Sequence, residues 1–391
     1  MNKKALALIL ILLFGIAGVS GAIAYFLFFR ADSEPPSPLP FFFLTPSASP
    51  SYVRIYVNSS MYSEISSDIT EYEQDLEEQG YIVDIVKWAD SNVTNLKLNM
   101  TYYYFNYTDI RMQLFGAVLV GDMPFAYARD TSQLGPPNYP IDLYLMDLNG
   151  HWHDVNFDGY YEYGMEFLGD NFPEIFIARI NPNSLNNMNN RSAFQSYFQK
   201  NRAYRNGTLN RPHSALLYID DQWADLPGWN TDFTAYSNLT YVNDKLTTCR
   251  ADYLNEYTSS YEWIHLLAHS NSTAHFFNVS GLWENVFNDD VFNNHTEALF
   301  YNLYCCDACN YTYPNNLGTQ YLFSSNTLTV IGSTREGGLD LYKPFYNALR
   351  DGKVIGEAYR LWFYNSEIDL YNKRNVVSGV VVLGDPFLTI Y

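Results

Sequence analysis

Two segments end an apolar run in a side chain able to do covalent chemistry. The first is Trp263-Ile-His-Leu-Leu-Ala-His269-Ser270, and the second is Phe300-Tyr-Asn-Leu-Tyr-Cys305-Cys306-Asp307. A thiol becomes a nucleophile when a base helps it lose its proton, and an imidazole within hydrogen-bond reach is such a base. If the two runs are adjacent parallel strands, their carboxyl ends bring His269 and Cys306 together. The chemistry such a pair could do is nucleophilic catalysis by a thiol with an imidazole as its base. A thiolate paired with an imidazolium is expected to alkylate well below the free-Cys pKa of about 8.5. Each residue alone has a plainer reading, because a buried Cys is usually inert and a lone His usually structural. Other readings of the same cysteines stay open. Cys306 and Cys309 have C-x-x-C spacing, as in a dithiol redox pair. Cys305, Cys306, Cys309 and His269 also have the ligand types of a metal site. Cys249 is the fourth cysteine of the chain. Its pairing with Cys309 or Cys305 would leave Cys306 free.

A second cluster offers oxygen ligands. Residues 154–162 read Asp-Val-Asn-Phe-Asp-Gly-Tyr-Tyr-Glu. Asp154, Asn156, Asp158, the Tyr160 carbonyl and Glu162 fall where a Ca²⁺ loop places its first ligands, with Gly159 at the sharp turn. The bidentate Glu expected at the end of such a loop is missing: Met165 stands there and Glu166 comes one residue late. The expectation is a structural Ca²⁺ site.

These groups need a scaffold. Short apolar runs at 53–57, 81–86, 117–120, 174–178, 215–219, 264–268, 299–304, 328–331 and 380–383 read as strands. Between them, residues 60–80, 192–204 and 343–364 carry helical spacing; in the first, Met61, Ile65, Ile69, Tyr72 and Leu76 recur three or four apart. Continuous apolar strands alternating with helices imply an α/β fold with a mostly parallel sheet covered on both faces. Several runs close on polar residues, namely Gly121-Asp122, Asp220-Asp221, His269, Cys306 and Ser333-Thr334. Ligands in such sheets sit outside the carboxyl ends of the strands.

The composition fits a folded domain of one sign. Of 391 residues, 47% are hydrophobic and 17% charged, so most of the chain can bury a core. The net charge of −19, with no basic stripe, argues against nucleic acid as a partner. Residues 1–30 read as a signal-anchor: Lys3 and Lys4, then an uncharged run over 5–29, then Arg30. At about 1.5 Å per residue that run spans a hydrocarbon core of about 30 Å with room for tilt. Ala22-Ile23-Ala24 allows a cleaved signal peptide instead. Either way the positive-inside rule puts the rest of the chain outside. Residues 31–50 are a Pro/Ser-rich linker, and 51–391 the folded region, with possible subdomains at 51–212 and 213–391. Sequons at Asn58, Asn92, Asn99, Asn106, Asn190, Asn206, Asn238, Asn271, Asn278, Asn294 and Asn310 suggest N-glycans on an extracytoplasmic, single-pass membrane protein.

Taken together, these segments resemble the gingipain-type cysteine peptidases, a branch of the caspase-like fold group. The resemblance is carried by Val118-Leu-Val-Gly-Asp122 with Pro124, Tyr139-Pro140, Asp142, Asp147-Leu-Asn-Gly150 with Trp152, and Pro173-Glu-Ile-Phe-Ile-Ala-Arg-Ile180. It continues through the runs into His269-Ser270 and Cys306, Val330-Ile-Gly-Ser-Thr334, Gly356-Glu357-Ala358 and Leu383-Gly-Asp-Pro386. It implies a caspase-like three-layer sandwich and endopeptidase activity on protein or peptide substrates. It makes His269 the base, Cys306 the nucleophile and Glu174 the group that orients the imidazole. It assigns the oxyanion to the backbone N–H groups of Ser270 and Cys306, and places a pocket-lining loop at Arg335-Glu-Gly-Gly-Leu339. Ser270 stands where the family commonly has Gly, and Cys305 where it often has Ala. The alternative from another class is a non-catalytic surface glycoprotein that keeps the fold for binding.

Overall fold

The computed structural model describes residues 51–390 apart from 108, 130–137, 155, 157, 162–171 and 366–376. The 5–29 segment and the 31–50 linker lie outside the described residues, and among the described ones no helix is long and apolar enough to cross a membrane. Residues 50–391 form one compact unit. The strands run in chain order as β1 (Tyr52–Asn58), β2 (Ile82–Trp88), β3 (Leu114–Val120), β4 (Ala126–Arg129), β5 (Asn138–Ile141), β6 (Tyr160–Tyr161), β7 (Phe176–Ile180) and β8 (Ala215–Ile219). They continue as β9 (Leu239–Val242), β10 (Trp263–Leu267), β11 (His269–Asn271), β12 (Ala274–Val279), β13 (Leu282–Phe287), β14 (Phe300–Tyr304), β15 (Thr329–Ser333) and β16 (Val380–Gly384).

Ten of them make one sheet in the order β2-β1-β3-β7-β16-β15-β14-β10-β8-β9. Every neighbouring pair is parallel except β15 with β16. The sheet is therefore mostly parallel, as expected, but it consists of two parallel blocks pointing in opposite directions and joined at β15–β16. Strands β7, β8, β10, β15 and β16 are buried at every residue. Burial on both faces explains why they read as unbroken apolar runs.

The opposed blocks decide which strand ends meet. The carboxyl ends of β8, β10, β14 and β15 share one edge, so Asp220-Asp221, His269, Cys306 and Ser333-Thr334 gather there. Gly121-Asp122, at the end of β3, belongs to the oppositely directed block and lies at the other edge.

Helices pack as the apolar spacing predicts. In Tyr62–Glu78 the buried residues are Ile65, Ile69, Tyr72 and Leu76. The stretch 343–364 differs from expectation: it is two helices, Lys343–Arg350 and Ile355–Phe363. Gly352 between them has φ +79°, a left-handed conformation that ends the first helix. The junction of the blocks is tied to the helices by Asp385, just past β16. Its buried carboxylate accepts from Tyr72 Oη at 2.8 Å and Asn201 Nδ2 at 2.8 Å and pairs with Arg205. A carboxylate at that depth requires such partners.

Candidate active site

The site is built on three neighbouring strands. Cys306 follows β14, His269 follows β10, and Asp221 follows β8; β10 pairs in parallel with both others. His269 Nε2 meets Asp221 Oδ2 at 3.2 Å, with both side chains partly open to solvent. That contact leaves Nδ1 as the ring nitrogen not engaged by Asp221. Trp223 covers one part of the imidazole at 4.6 Å between ring centroids, and Trp283 meets it edge-on at 5.5 Å. Asp221 sits at φ +52°, a left-handed position that Asp tolerates better than most residues and that turns its carboxylate back across the strand ends.

Cys306 is the one cysteine of its cluster that reaches the surface; Cys305 and Cys309 are buried. Consecutive residues of an extended segment point to opposite sides. Cys305 accordingly turns inward, its Sγ donating to the Leu266 carbonyl at 3.7 Å. Cys309 packs between two glycines: a Cβ on Gly318 or Gly332 would come within 2.5 or 2.6 Å of its Sγ. Burial pushes both thiols well above the ordinary range. All four cysteines are free, and Cys249 caps the helix Arg250–Tyr257 by accepting the Asp252 N–H at 3.4 Å. The pairing of Cys249 with Cys305 or Cys309 is therefore not formed. Ser270 Oγ donates to the Cys306 carbonyl, which ties the two strand ends together. Among the described residues the Cys306 N–H has no backbone acceptor.

The surroundings of Cys306 weigh against a resting thiolate. Burial raises its pKa, the Gly337 N–H opposes that, and the carboxylates of Glu336 and Asp307 raise it further. These influences favour the neutral thiol, so the proton leaves during attack. Replacing Glu336 by Gln removes one opposing charge and should move the midpoint of the pH–alkylation profile of Cys306 downward. An unchanged midpoint, measured with iodoacetamide and mass spectrometry, would show that Glu336 exerts no field on the thiol.

Glu174 is not brought to His269. It precedes β7, which is separated from the β10 strand of His269 by β16, β15 and β14, roughly 19 Å at about 4.8 Å per strand. Its carboxylate accepts the N–H groups of Leu148 at 2.6 Å and Asn149 at 3.3 Å and the Asn149 side chain, bracing the 147–150 turn. The carboxylate that meets the imidazole is that of Asp221. Its other oxygen accepts from Asn278 Nδ2 at 3.3 Å, and Asp220 accepts the Asn278 N–H at 2.8 Å. Asn278 was missed as a site residue because its sequon offered a sufficient reason for it.

The acidic loop is partly described. Asp154 accepts the N–H groups of Asp158 at 2.9 Å and Gly159 at 2.8 Å, while Asp158 pairs with Arg129 and accepts from Asn156 Nδ2 at 2.9 Å. Tyr160 starts β6, and Glu162 lies outside the described residues. Among the described residues no cluster of three or more His, Cys, Asp or Glu is arranged to hold a metal ion.

Solved structures share this architecture. Gingipain R, described as an Arg-specific cysteine proteinase, matches with a TM-score of 0.63 at 13% identity over 88% of this chain and 79% of that one. A structure described only as a protease gives 0.63 at 14% identity over 88% and 79%. The complex of the pro- and mature domains of RgpB from Porphyromonas gingivalis gives 0.59 at 12% over 87% and 80%. At these identities the likeness speaks for the fold. No curated protein matches the chain. The model of peptidase family C25 matches residues 45–391. With its thiol and imidazole on neighbouring strand ends of a gingipain-like sheet, the chain belongs to peptidase family C25 and is a cysteine-type peptidase.

Proposed function

We propose that the protein is a membrane-anchored, extracytoplasmic cysteine endopeptidase working through Cys306 and His269, with Asp221 orienting the imidazole. The observation that supports it most is the gathering of these three side chains at the ends of β14, β10 and β8. In this reading His269 takes the Cys306 proton as sulfur attacks the peptide carbonyl. The backbone N–H groups of Cys306 and Ser270 receive the oxyanion. The imidazolium then protonates the leaving amine, giving an acyl-enzyme, and His269 activates water to release it. A broad peptide library offered to the purified full chain in detergent tests it. Failure to cleave, together with failure of iodoacetamide to label Cys306, would favour the non-catalytic binding reading; intact mass should first establish that no segment blocks the site.

The outward orientation rests on the sequence of residues 1–30 and on the sequons. Asn92, Asn106, Asn190, Asn206, Asn238, Asn271 and Asn294 are exposed. Asn99, by contrast, accepts from Arg54 at 2.6 Å and Tyr56 at 2.8 Å. Protease added to intact cells should remove the 51–391 region; its survival until lysis would reverse the topology.

Calcium is the remaining element of the reading. The ion would take Asp154, Asn156, Asp158, the Tyr160 carbonyl and Glu162, displacing Arg129 from Asp158. At free Ca²⁺ of about 100 times Kd the folded state gains about 2.7 kcal/mol, so chelation should lower Tm measurably. A Tm indifferent to chelator would remove the site.

A further inference from the structure

The hairpin after the active-site histidine carries an apolar surface that the folded core does not use. Strands β11, β12 and β13 form a separate three-stranded sheet. On β13, Trp283 is 53% exposed, a large apolar side chain standing in solvent. Yet Trp283 is in contact with the His269 imidazole, edge-on at 5.5 Å. An indole held against the imidazole yet half in solvent offers an apolar face to whatever occupies the site.

The side of the reaction this indole faces follows from the strand order. Cys306 ends β14, His269 ends β10 and Asp221 ends β8, in that spatial sequence. On the β15 side, Glu336 and Gly337 adjoin the thiol. On the β8 side, the hairpin is moored to Asp220 and Asp221 through Asn278. Near its start the hairpin is tied to the thiol's strand end through Ser270 and Ser272, but its far end, where Trp283 pairs with Asn278, lies on the β8 side of His269. The imidazole must hand its proton to the nitrogen of the departing amine. A side chain flanking the imidazole on its far side therefore meets the substrate just beyond the scissile bond.

We propose that Trp283 lines the subsite for the first residue on the leaving-group side of the cleaved bond, and that this subsite selects an apolar side chain. The inference rests on the assignment of Cys306 and His269 given above. The partner is an extended peptide segment with a Leu- or Phe-sized residue in that position. Burying such a side chain against the indole contributes to the transition state, because the contact is made beside the nitrogen being protonated.

The test uses the full-length protein and pairs of peptides identical on the acyl side, carrying Leu or Gly at the first leaving-side position. The wild type should show a Leu-over-Gly ratio of kcat/KM of about 10 or more, the scale of selectivity one apolar pocket provides. In Trp283→Ala the ratio should fall to near one, and in Trp283→Phe it should be largely retained. A wild type that cleaves both peptides equally would overturn the subsite while leaving the dyad standing. So would a Trp283→Ala protein that slows on both peptides by the same factor, since Trp283 would then act only by holding His269. A wild type that cleaves neither peptide nor any library member would remove the dyad and the subsite with it.

Discussion

Cys306→Ala is expected to abolish peptide cleavage, whereas Cys305→Ala and Cys309→Ala should retain it. Losing the attacking atom of a covalent mechanism typically costs about 10⁴-fold or more, and Cys306 is the one cysteine of the 305–309 cluster that reaches the surface. The three cysteines lie within five residues, yet burial separates their roles. Cys305 points at the Leu266 carbonyl and Cys309 is wedged against Gly318 and Gly332. Cys309→Ala should lower stability by emptying a packed position, with cleavage per folded molecule preserved. Because the surroundings of Cys306 favour the neutral thiol, its alkylation should rise with pH through a midpoint above the ordinary Cys range. Labelling of Cys306 that is complete at mildly acid pH would contradict that, and cleavage by the Cys306→Ala protein would reassign the nucleophile.

The parts of this site that were legible in sequence are those fixed by burial. The run 215–219 was readable to the residue, and β10, β14 and β16 nearly so, because a strand covered on both faces has no polar alternation to confuse it. Leu383-Gly-Asp-Pro386 stood out without a reason; the reason is Asp385, whose buried carboxylate joins the sheet to two helices. What stayed hidden depends on chain direction and on surface. That the two blocks run oppositely is a property of β15–β16 pairing, which no local pattern encodes. The hairpin escaped because Leu282, Trp283 and Glu284 are all exposed, so β13 shows no period-two alternation. Asp220 and Asp221 were visible as a polar strand end, but their division of labour was not. Asp220 is buried and accepts from Thr248 Oγ1 at 2.6 Å, whereas the left-handed turn at Asp221 aims the second carboxylate at the imidazole.

That division sets the second large effect. Asp221→Asn keeps the shape but loses the charge that holds the imidazole and stabilises the imidazolium formed during catalysis. In triads of this logic the change lowers kcat by about 10²–10⁴-fold, or about 2.7–5.4 kcal/mol at about 1.36 kcal/mol per decade. KM should change little, because the carboxylate meets the histidine and not the substrate. Thermal stability should also change little, since Asp221 is partly exposed. Asn278→Ala removes the donor on the opposite oxygen of Asp221 and should lower kcat by about tenfold, as loss of a supporting hydrogen bond does. Glu174→Gln should do the reverse of Asp221→Asn. It weakens the hold on the Leu148 and Asn149 N–H groups, so Tm falls while kcat per folded molecule is kept. If Asp221→Asn cleaves at the wild-type rate and Glu174→Gln does not, the orienting role passes to Glu174. The 3.2 Å approach of Asp221 to Nε2 would then be a contact without a part in the reaction.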